Sequence, residues 1–476
     1  MSGQFYLAPA AQRYRQTIFD VIRIFFPDFQ WAKTEEESVL VDVETGEQTW
    51  RLQIGSDRSV FSVQGLDENQ RRRLLKQQVY HKLQKLTGQS LHPWGIMTGI
   101  RPTKIVHRER DAGLSEAAIG QKLQSDYLVD DEKTRLLLEV TRRQRPFLLD
   151  KQQAKALVSI YVSIPFCPTR CAYCSFPSFC LPKPALQEAY LANLLAECQA
   201  VGQALSRQQI QIQTVYIGGG TPTSLSAAQL ERVLSGVQQY LGGASLAEFT
   251  VEAGRPDTIS LEKLQLLHDY GVGRISINPQ TFSQATLQAI GRRHTVQQLL
   301  DVYAMARQVG FDSINMDLIT GLPGETAADF AHSLEQIAQL QPENLTVHTL
   351  AIKRTAALQL EAMPQQQGRI VQQMQRELRQ WLTKQRYGPY YLYRQKHMVG
   401  DQENVGYCLP GKESIYNIQM MEERQTILGL GVGSASKYVN PDDWTLQQTN
   451  NPKDLYDYNQ RIEELIDKKI ARIGAM

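Results

Sequence analysis

Between about residues 158 and 350 the chain alternates strand and helix without a break. Short β-branched runs fall at 158–165, 212–218, 247–253, 273–278, 313–319 and 344–350, and each reads as a buried parallel strand. Helical patterns fill the gaps at about 184–208, 226–241, 260–271, 295–309 and 326–340. The last opens with Thr326 and Asp329 at the capping-box spacing. Parallel neighbours need a crossover between them, so this alternation restricts the segment to an α/β architecture. Six such units predict a parallel barrel, or an open part of one, with its site at the carboxyl ends of the strands.

The first strand runs straight into Cys167-Pro168-Thr169-Arg170-Cys171-Ala172-Tyr173-Cys174. Clustered sulfur ligands select iron–sulfur clusters, zinc or copper(I). A [4Fe–4S] cluster normally takes four thiolates. Three on one tight loop would leave one iron open to bind and activate a small molecule. The alternative is a structural zinc site with Cys180 as fourth ligand. Zinc knuckles usually come as two pairs separated by a longer loop, and only one dense cluster is present here. With six cysteines and no signal pattern at Met1–Phe5, a reducing compartment is expected, and Cys198 and Cys408 read as plain thiols.

Polar residues recur at the ends of the other strands. Strand two ends in Gly218-Gly219-Gly220-Thr221-Pro222, where a backbone without side chains lets a ligand approach closely. A tight turn would explain the glycines equally well if they stood alone. Glu252 ends strand three, and a carboxylate on an apolar strand needs a partner such as a ligand ammonium or an arginine. Gln280 ends strand four. Arg292 follows it and could grip a carboxylate through two parallel hydrogen bonds, whereas Arg293 reads as a surface charge. Asp317 ends strand five and suits a pair of ribose hydroxyls. His294 and His348 read as packing or hydrogen-bonding residues.

Residues 1–150 form a separate α+β region of unknown role. Strands are expected at Phe5–Leu7, Val39–Val43, Trp50–Ile54 and Val60–Val63, and helices at about 67–87, 115–125 and 131–144. The basic residues Arg71–Arg73 and Lys82–Lys85 read as a solvated helix face, and Pro93–Lys104 as an ordered loop. Residues 151–355 are the barrel segment, and 356–476 a mostly helical cap or lid. A net charge of +2 gives no reason to expect a nucleic-acid surface. No apolar run approaches the length of a membrane span, so a cytoplasmic protein is expected.

Several motifs occur together: Tyr161-x-x-Ile164-Pro165-Phe166-Cys167-x3-Cys171-x-Tyr173-Cys174-x-Phe176, Gly218-Gly219-Gly220-Thr221-Pro222, Gln280-Thr281-Phe282, Gly291-Arg292-x-His294 and Asp317-Leu318-Ile319-x-Gly321-Leu322-Pro323. This combination resembles the oxygen-independent coproporphyrinogen III oxidase family of radical S-adenosylmethionine (SAM) proteins. Trp94-Gly95-Ile96-x-Thr98-Gly99-x-Arg101-Pro102-Thr103-Lys104, Ala253-Gly254-Arg255-Pro256-Asp257 and Tyr416–Arg424 resemble its HemZ-type branch in particular. The resemblance implies a partial (β/α)6 barrel that holds a [4Fe–4S] cluster on Cys167, Cys171 and Cys174. It implies SAM contacts from Gly219, Gly220, Thr221, Glu252, Gln280, Arg292 and Asp317, with Tyr161 near the cluster as a catalytic residue. The implied reaction is oxidative decarboxylation of two propionates of coproporphyrinogen III to vinyl groups by a 5′-deoxyadenosyl radical. An outside electron donor such as flavodoxin or ferredoxin is implied as a partner. A substrate with four carboxylates calls for cationic residues at the barrel mouth, and the candidates are Arg255, Lys353, Arg354, Arg394 and Lys396.

The chain departs from the family's oxidases at Ser163, where they carry histidine, and at Phe176, where they carry a further cysteine. The second change is shared with the haem-chaperone branch. That branch usually has a His-Asn-x-x-Tyr-Trp run where this chain reads Ile415-Tyr416-Asn417-Ile418-Gln419-Met420, with no histidine and no tryptophan. Three functions follow from these comparisons of motif: the decarboxylase, a haem-binding or haem-transfer protein, and a radical SAM enzyme acting on haem or another tetrapyrrole.

Overall fold

A computed structural model describes residues 3–27, 29–36, 38–89, 92–174, 176, 178–243, 246–351, 367–395 and 398–476. By its contacts the chain forms two compact units, Met1–Arg142 and Arg143–Met476.

The first unit is built on strands β1 (Gln4–Leu7), β2 (Gln30–Trp31), β3 (Val39–Thr45), β4 (Thr49–Ile54) and β5 (Asp57–Ser62). They lie in the order β2-β1-β3-β4-β5, with β1 parallel to both neighbours and the rest antiparallel. Helices α1 (Arg15–Phe25) and α2 (Glu68–Thr87) share a core with the sheet that includes Phe5, Ile18, Val41, Trp50, Leu75 and Tyr80. The expected elements did not include α1, although Ile18, Val21, Ile22 and Phe25 recur at helical spacing and are all buried. Helices α3 (Thr103–Asp111), α4 (Glu116–Tyr127) and α5 (Asp131–Gln144) follow. The basic face of α2 is only partly solvated. Lys85 is exposed, but Lys82 is buried and pairs with Asp57 at 2.7 Å.

The second unit opens with α6 (Lys151–Ala156) and then β6 (Leu157–Ile164), β7 (Phe166–Cys167) and β8 (Phe179–Cys180). The alternation follows: α7 (Pro184–Arg207), β9 (Gln211–Gly219), α8 (Ala227–Leu241), β10 (Glu248–Gly254), α9 (Leu261–Asp269), β11 (Arg274–Ile277), α10 (Gln284–Ala289), α11 (Val296–Val309), β12 (Ser313–Thr320), α12 (Ala327–Leu340) and β13 (Asn344–Thr349). All six expected strands lie side by side in chain order and parallel. The expected capping box is present on α12, with the Thr326 and Asp329 side chains each accepting from the other's backbone N–H.

The C-terminal region carries helices α13 (Gln367–Lys384), α14 (Ile415–Glu422), α15 (Leu455–Gln460) and α16 (Ile462–Gly474). It also carries five strands that a reading as helices and turns omits: β14 (Gly388–Tyr393), β15 (Asn404–Cys408), β16 (Thr426–Leu430), β17 (Ala435–Val439) and β18 (Leu446–Asn450). They extend the sheet at both ends, giving the order β14-β15-β13-β12-β11-β10-β9-β6-β16-β17-β18. β16 runs parallel to β6, and β15 antiparallel to β13. The division expected near residue 355 is therefore not a boundary between compact units. Among the described residues no helix is long and apolar enough to cross a membrane.

Two buried carboxylates fasten this region to the barrel. Glu197 on α7 accepts hydrogen bonds from Gly431 N, Asn451 Nδ2, the Tyr458 hydroxyl and Lys469 Nζ, all at 2.7–3.0 Å. Glu248 at the start of β10 accepts from the Ser414 hydroxyl and from Ile415 N, at the first turn of α14. A buried charge needs such partners, and removing one leaves the other uncompensated. Lys469→Met is expected to destabilise the folded chain by about 3–5 kcal/mol in urea unfolding. The double variant Glu197→Gln with Lys469→Met should recover part of that loss, and equal stability of wild type and Lys469→Met would contradict the role given to the pair.

Candidate functional site

The barrel strands have two chemically different faces. Ile160, Val162, Val215, Ile217, Val251, Ile275, Met316, Leu318 and Val347 form a fully buried apolar side. Positions out of phase with them carry Tyr161, Ser163, Tyr216, Glu252, Ser276, Asn278, Asp317 and His348. Continuous apolar runs were the expected pattern, so this polar lining is a finding of the fold.

The cysteine loop leaves the end of β6 and is held by its neighbours. The Thr221 hydroxyl, after β9, donates to Cys167 Sγ at 3.5 Å. Ala172 N donates to Ile290 O, after α10. Cys174 N closes a turn onto Cys171 O. Arg292 Nη2 donates to the Tyr173 hydroxyl and Nη1 to Asn278 O. Arg292 is thus buried beside Cys171 and Tyr173, which outweigh its desolvation and hold its guanidinium above the usual range. Its Nε has no partner among the described residues, and the side chain lines a cavity of about 600 Å3 beside the loop.

Burial pushes the Cys167 and Cys174 thiols up. A bound metal deprotonates a coordinating thiol outright, so these groups suit a metal better than free thiolate chemistry. Among the described residues no three His, Cys, Asp or Glu side chains gather around one point as a single ion requires. Thiolates on a [4Fe–4S] cluster each meet a different iron and need not converge in that way. Cys180 is exposed, although β7–β8 pairing sets its backbone beside Cys167. Cys198 and Cys408 are buried, and burial pushes both thiols up.

The glycine run forms a close-packed floor. Gly219 has φ +110°, and a Cβ there would lie 3.0 Å from Ser163 Oγ and 3.3 Å from the Tyr161 hydroxyl. A Cβ on Gly220 would meet Phe166 O at 2.6 Å. Glu252 accepts from the Tyr216 hydroxyl at 2.6 Å and from Gly219 N at 3.3 Å. Burial, with Asp317 nearby, pushes its carboxyl up to about 7. Asp317 behaves oppositely. Burial favours its neutral form, but His348, Asn315 and Thr346 hold it below the usual range. Gln280 has φ +68°, a left-handed conformation that costs a non-glycine residue about 1–3 kcal/mol and concentrates at functional sites. Its backbone is locked to β12 by bonds with Asp317 O and Ile319 N, and its buried Oε1 has no partner among the described residues.

Three site residues, Tyr216, Tyr416 and His348, escaped the sequence reading. Tyr216 lies in register with Tyr161 on the neighbouring strand, and their rings stack at 6.2 Å. Tyr416 reaches both from α14, 4.4 Å from Tyr216 and 6.4 Å from Tyr161. The Tyr161–Tyr216 pair was readable from strand alternation, whereas nothing local marks Tyr416. His348 sits 3.7 Å from Asp317 and 3.3 Å from the Tyr393 hydroxyl, so its surroundings are those of the site.

The expected substrate cations fare differently. Arg255 is 3% exposed and already committed: Nε and Nη2 bind both oxygens of Asp257, and Nη1 binds Thr169 O and Oγ1. It is a clamp on the cysteine loop rather than an open anion site, because its donors are used inside the protein. Arg394 is buried just past the end of β14. Lys353, Arg354 and Lys396 lie outside the described residues.

The donor set fits a cluster and SAM. Three thiols sit at one strand end with buried cations behind them, a side-chain-free floor lies next to them, and unpartnered polar atoms remain at Gln280 and Arg292. Residues 161–337 match the family model of the radical SAM superfamily, which works with a [4Fe–4S] cluster and SAM. The chain is 46% identical over 381 residues to the oxygen-independent coproporphyrinogen-III oxidase-like protein HemZ of Bacillus subtilis (strain 168), covering 79% of this chain and 76% of that one. It is 32% identical over 281 residues to the heme chaperone HemW of the same organism, covering 58% and 70%. The solved coproporphyrinogen III oxidase (HemN) of Escherichia coli, a radical SAM enzyme, superposes with a TM-score of 0.53 at 25% identity over 66% of this chain and 70% of that one. By fold, strand-end chemistry and extent of identity, the chain belongs to the oxygen-independent coproporphyrinogen-III oxidase-like family of radical SAM proteins.

Proposed function

We propose that the protein decarboxylates two propionates of coproporphyrinogen III, or of a close tetrapyrrole, to vinyl groups. The observation that carries this reading is that Cys167, Glu252, Gln280 and Asp317 lie on or just past neighbouring strands of one sheet, with Arg292, after α10, buried beside Cys171. In it, Cys167, Cys171 and Cys174 bind the cluster. Arg292 pairs with the SAM carboxylate, Glu252 accepts from its ammonium, and Asp317 accepts from its ribose. Gly219 and Gly220 permit close approach, with Thr221 and Gln280 completing the contacts. When bound, cluster and SAM supply the radical that removes one hydrogen atom. Each propionate then loses carbon dioxide and one electron, so an outside one-electron acceptor is required in addition to the donor that reduces the cluster. Tyr161, held in the aromatic stack, bounds the space where this occurs. Of the cations expected to meet propionates, Arg255 and Arg394 lie within the described residues, and Arg255 is committed to Asp257 and Thr169.

The deciding experiment is anaerobic: reconstituted protein, SAM, reductant and coproporphyrinogen III, with tetrapyrrole products read by mass. Vinyl products are expected. Tight haem binding without vinyl products would instead place the chain functionally with its haem-chaperone relatives.

Replacing Cys167, Cys171 and Cys174 together by alanine should abolish the brown absorbance and the bound iron. Replacing Cys180, Cys198 or Cys408 should leave both. Arg292→Ala should weaken SAM binding by about 1.5–3 kcal/mol, measured by titration calorimetry on the cluster-loaded protein. Unchanged affinity would remove Arg292 from the site.

Glu252 gives a pH signature in the metal-free protein. Its folded-state carboxyl, at about 7, lies above the ordinary carboxylate range, so the folded state holds the proton more tightly than the unfolded state. Stability is therefore fully present at low pH and is lost as pH rises towards about 7, with no further change above it. Glu252→Gln should flatten that part of the profile relative to wild type. Glu325, also pushed up to about 7 by burial, remains as a shared background in both proteins. Parallel profiles would show that Glu252 is ionised normally.

A further inference from the structure

We propose that Arg255 and Asp257 form a clasp that positions the cysteine loop, setting the spacing of Cys167 and Cys171. This rests on the reading of those cysteines as cluster ligands. The Arg255 guanidinium makes four hydrogen bonds, two in a fork to Asp257 at 3.0 and 2.8 Å and two to Thr169 at 3.0 and 2.8 Å. Thr169 stands midway between Cys167 and Cys171. One planar group thus ties the span between two ligands to the end of β10. A lysine could not do this, because the fork depends on the fixed geometry of the guanidinium donors.

The base of the clasp is itself stiff. Thr258 N and its hydroxyl both donate to Arg255 O. Arg255 N donates to Ala253 O at 2.7 Å, and Ala253 O also accepts from the Thr223 hydroxyl, which is 2.7 Å from the Thr258 hydroxyl. Lys263 Nζ bridges Thr223 O and Thr258 O. The turns after β9 and β10 are therefore one hydrogen-bonded body, and Arg255 is the arm it extends to the loop. Thr221 holds Cys167 from the same body, while Ile290 and Arg292 hold the far end of the loop from the segment after β11.

Charge points the same way. The loop is backed by two buried cations, Arg255 and Arg292, the first of them paired with the anion Asp257. His294 lies among them with its ring pushed down to about 4, by burial first and then by Arg292, so it is neutral. The net positive layer suits three thiolates. Partners in this outer shell typically change metal affinity on the order of 10–100-fold when removed.

The test compares wild type, Arg255→Gln, Thr169→Val, Thr169→Ser and the Arg255→Gln/Thr169→Val double variant, each reconstituted with iron and sulfide without air. The readouts are iron content, the rate of iron loss to a chelator and the electron paramagnetic resonance line shape of the reduced cluster. Wild type should hold about four irons per chain. Arg255→Gln should release iron on the order of 10–100-fold faster, with an altered line shape. Thr169→Val should shift both in the same direction by less, and the double variant should be no worse than Arg255→Gln. Thr169→Ser, which keeps the hydroxyl, should match wild type. Wild-type release and line shape in Arg255→Gln, or full additivity in the double variant, would overturn the clasp while leaving the cluster intact. A wild-type chain that takes up no iron would overturn the cluster reading and the clasp together. If Arg255→Gln fails to fold, the Val/Ser pair at Thr169 decides alone, since Val replaces the threonine hydroxyl by a methyl while Ser keeps the hydroxyl and loses only the methyl.

Discussion

Strand β6 is hydrogen-bonded to β9 on one side and to β16 on the other, parallel in both cases. Everything at the site depends on this. The cysteine loop begins where β6 ends, and a strand paired on both edges has little freedom to tilt or slip. The second partner comes from the far end of the sequence, so the C-terminal region is part of the frame that aims the loop. Glu197 and Glu248 reinforce it from opposite sides. Glu248 also fixes the start of α14, which delivers the Tyr416 ring against Tyr216 and Tyr161.

The site sorts its charged groups by environment. Glu252 and Asp317 stand on β10 and β12, but burial raises one while a set of donors holds the other low. Arg292 and Arg255 are both buried beside the loop and differ in what they have left to offer. Arg255 spends its fork on Asp257 and Thr169, whereas Arg292 bonds Asn278 O and the Tyr173 hydroxyl and keeps a buried Nε with no partner among the described residues. The same residue type is thus fully satisfied in one place and only partly satisfied in the other.

The barrel was legible because its signals are local: β-branched runs, helix periods and caps such as Thr326 with Asp329. Strand positions could be named for the same reason: Cys167, Glu252 and Gln280 lie at or just past strand ends, Asp317 lies within β12, and Arg292 follows α10. Arg255 misled because a charged residue past a strand end reads alike whether its partner is a ligand or Thr169, 86 residues away. Tyr416 was invisible because stacking across α14 and β9 leaves no periodic trace. The strands β15 and β16 were missed because their partners, β13 and β6, lie far off in the chain, and strand propensity depends strongly on such context; β14, β17 and β18 pair onto them in turn.

The pairing of β6 with β16 also has a consequence in time. A ribosome adding roughly 5–20 residues per second needs roughly 15–50 s to pass from Ile164 to Leu430. Over that interval the cysteine loop exists, but one edge of the strand it grows from has no partner. An open edge of an apolar strand invites pairing with other chains. Metal delivered to the nascent loop would meet ligands whose frame is incomplete. Maturation of this protein is therefore tied to the synthesis of β16, and the cell must keep β6 covered until it arrives.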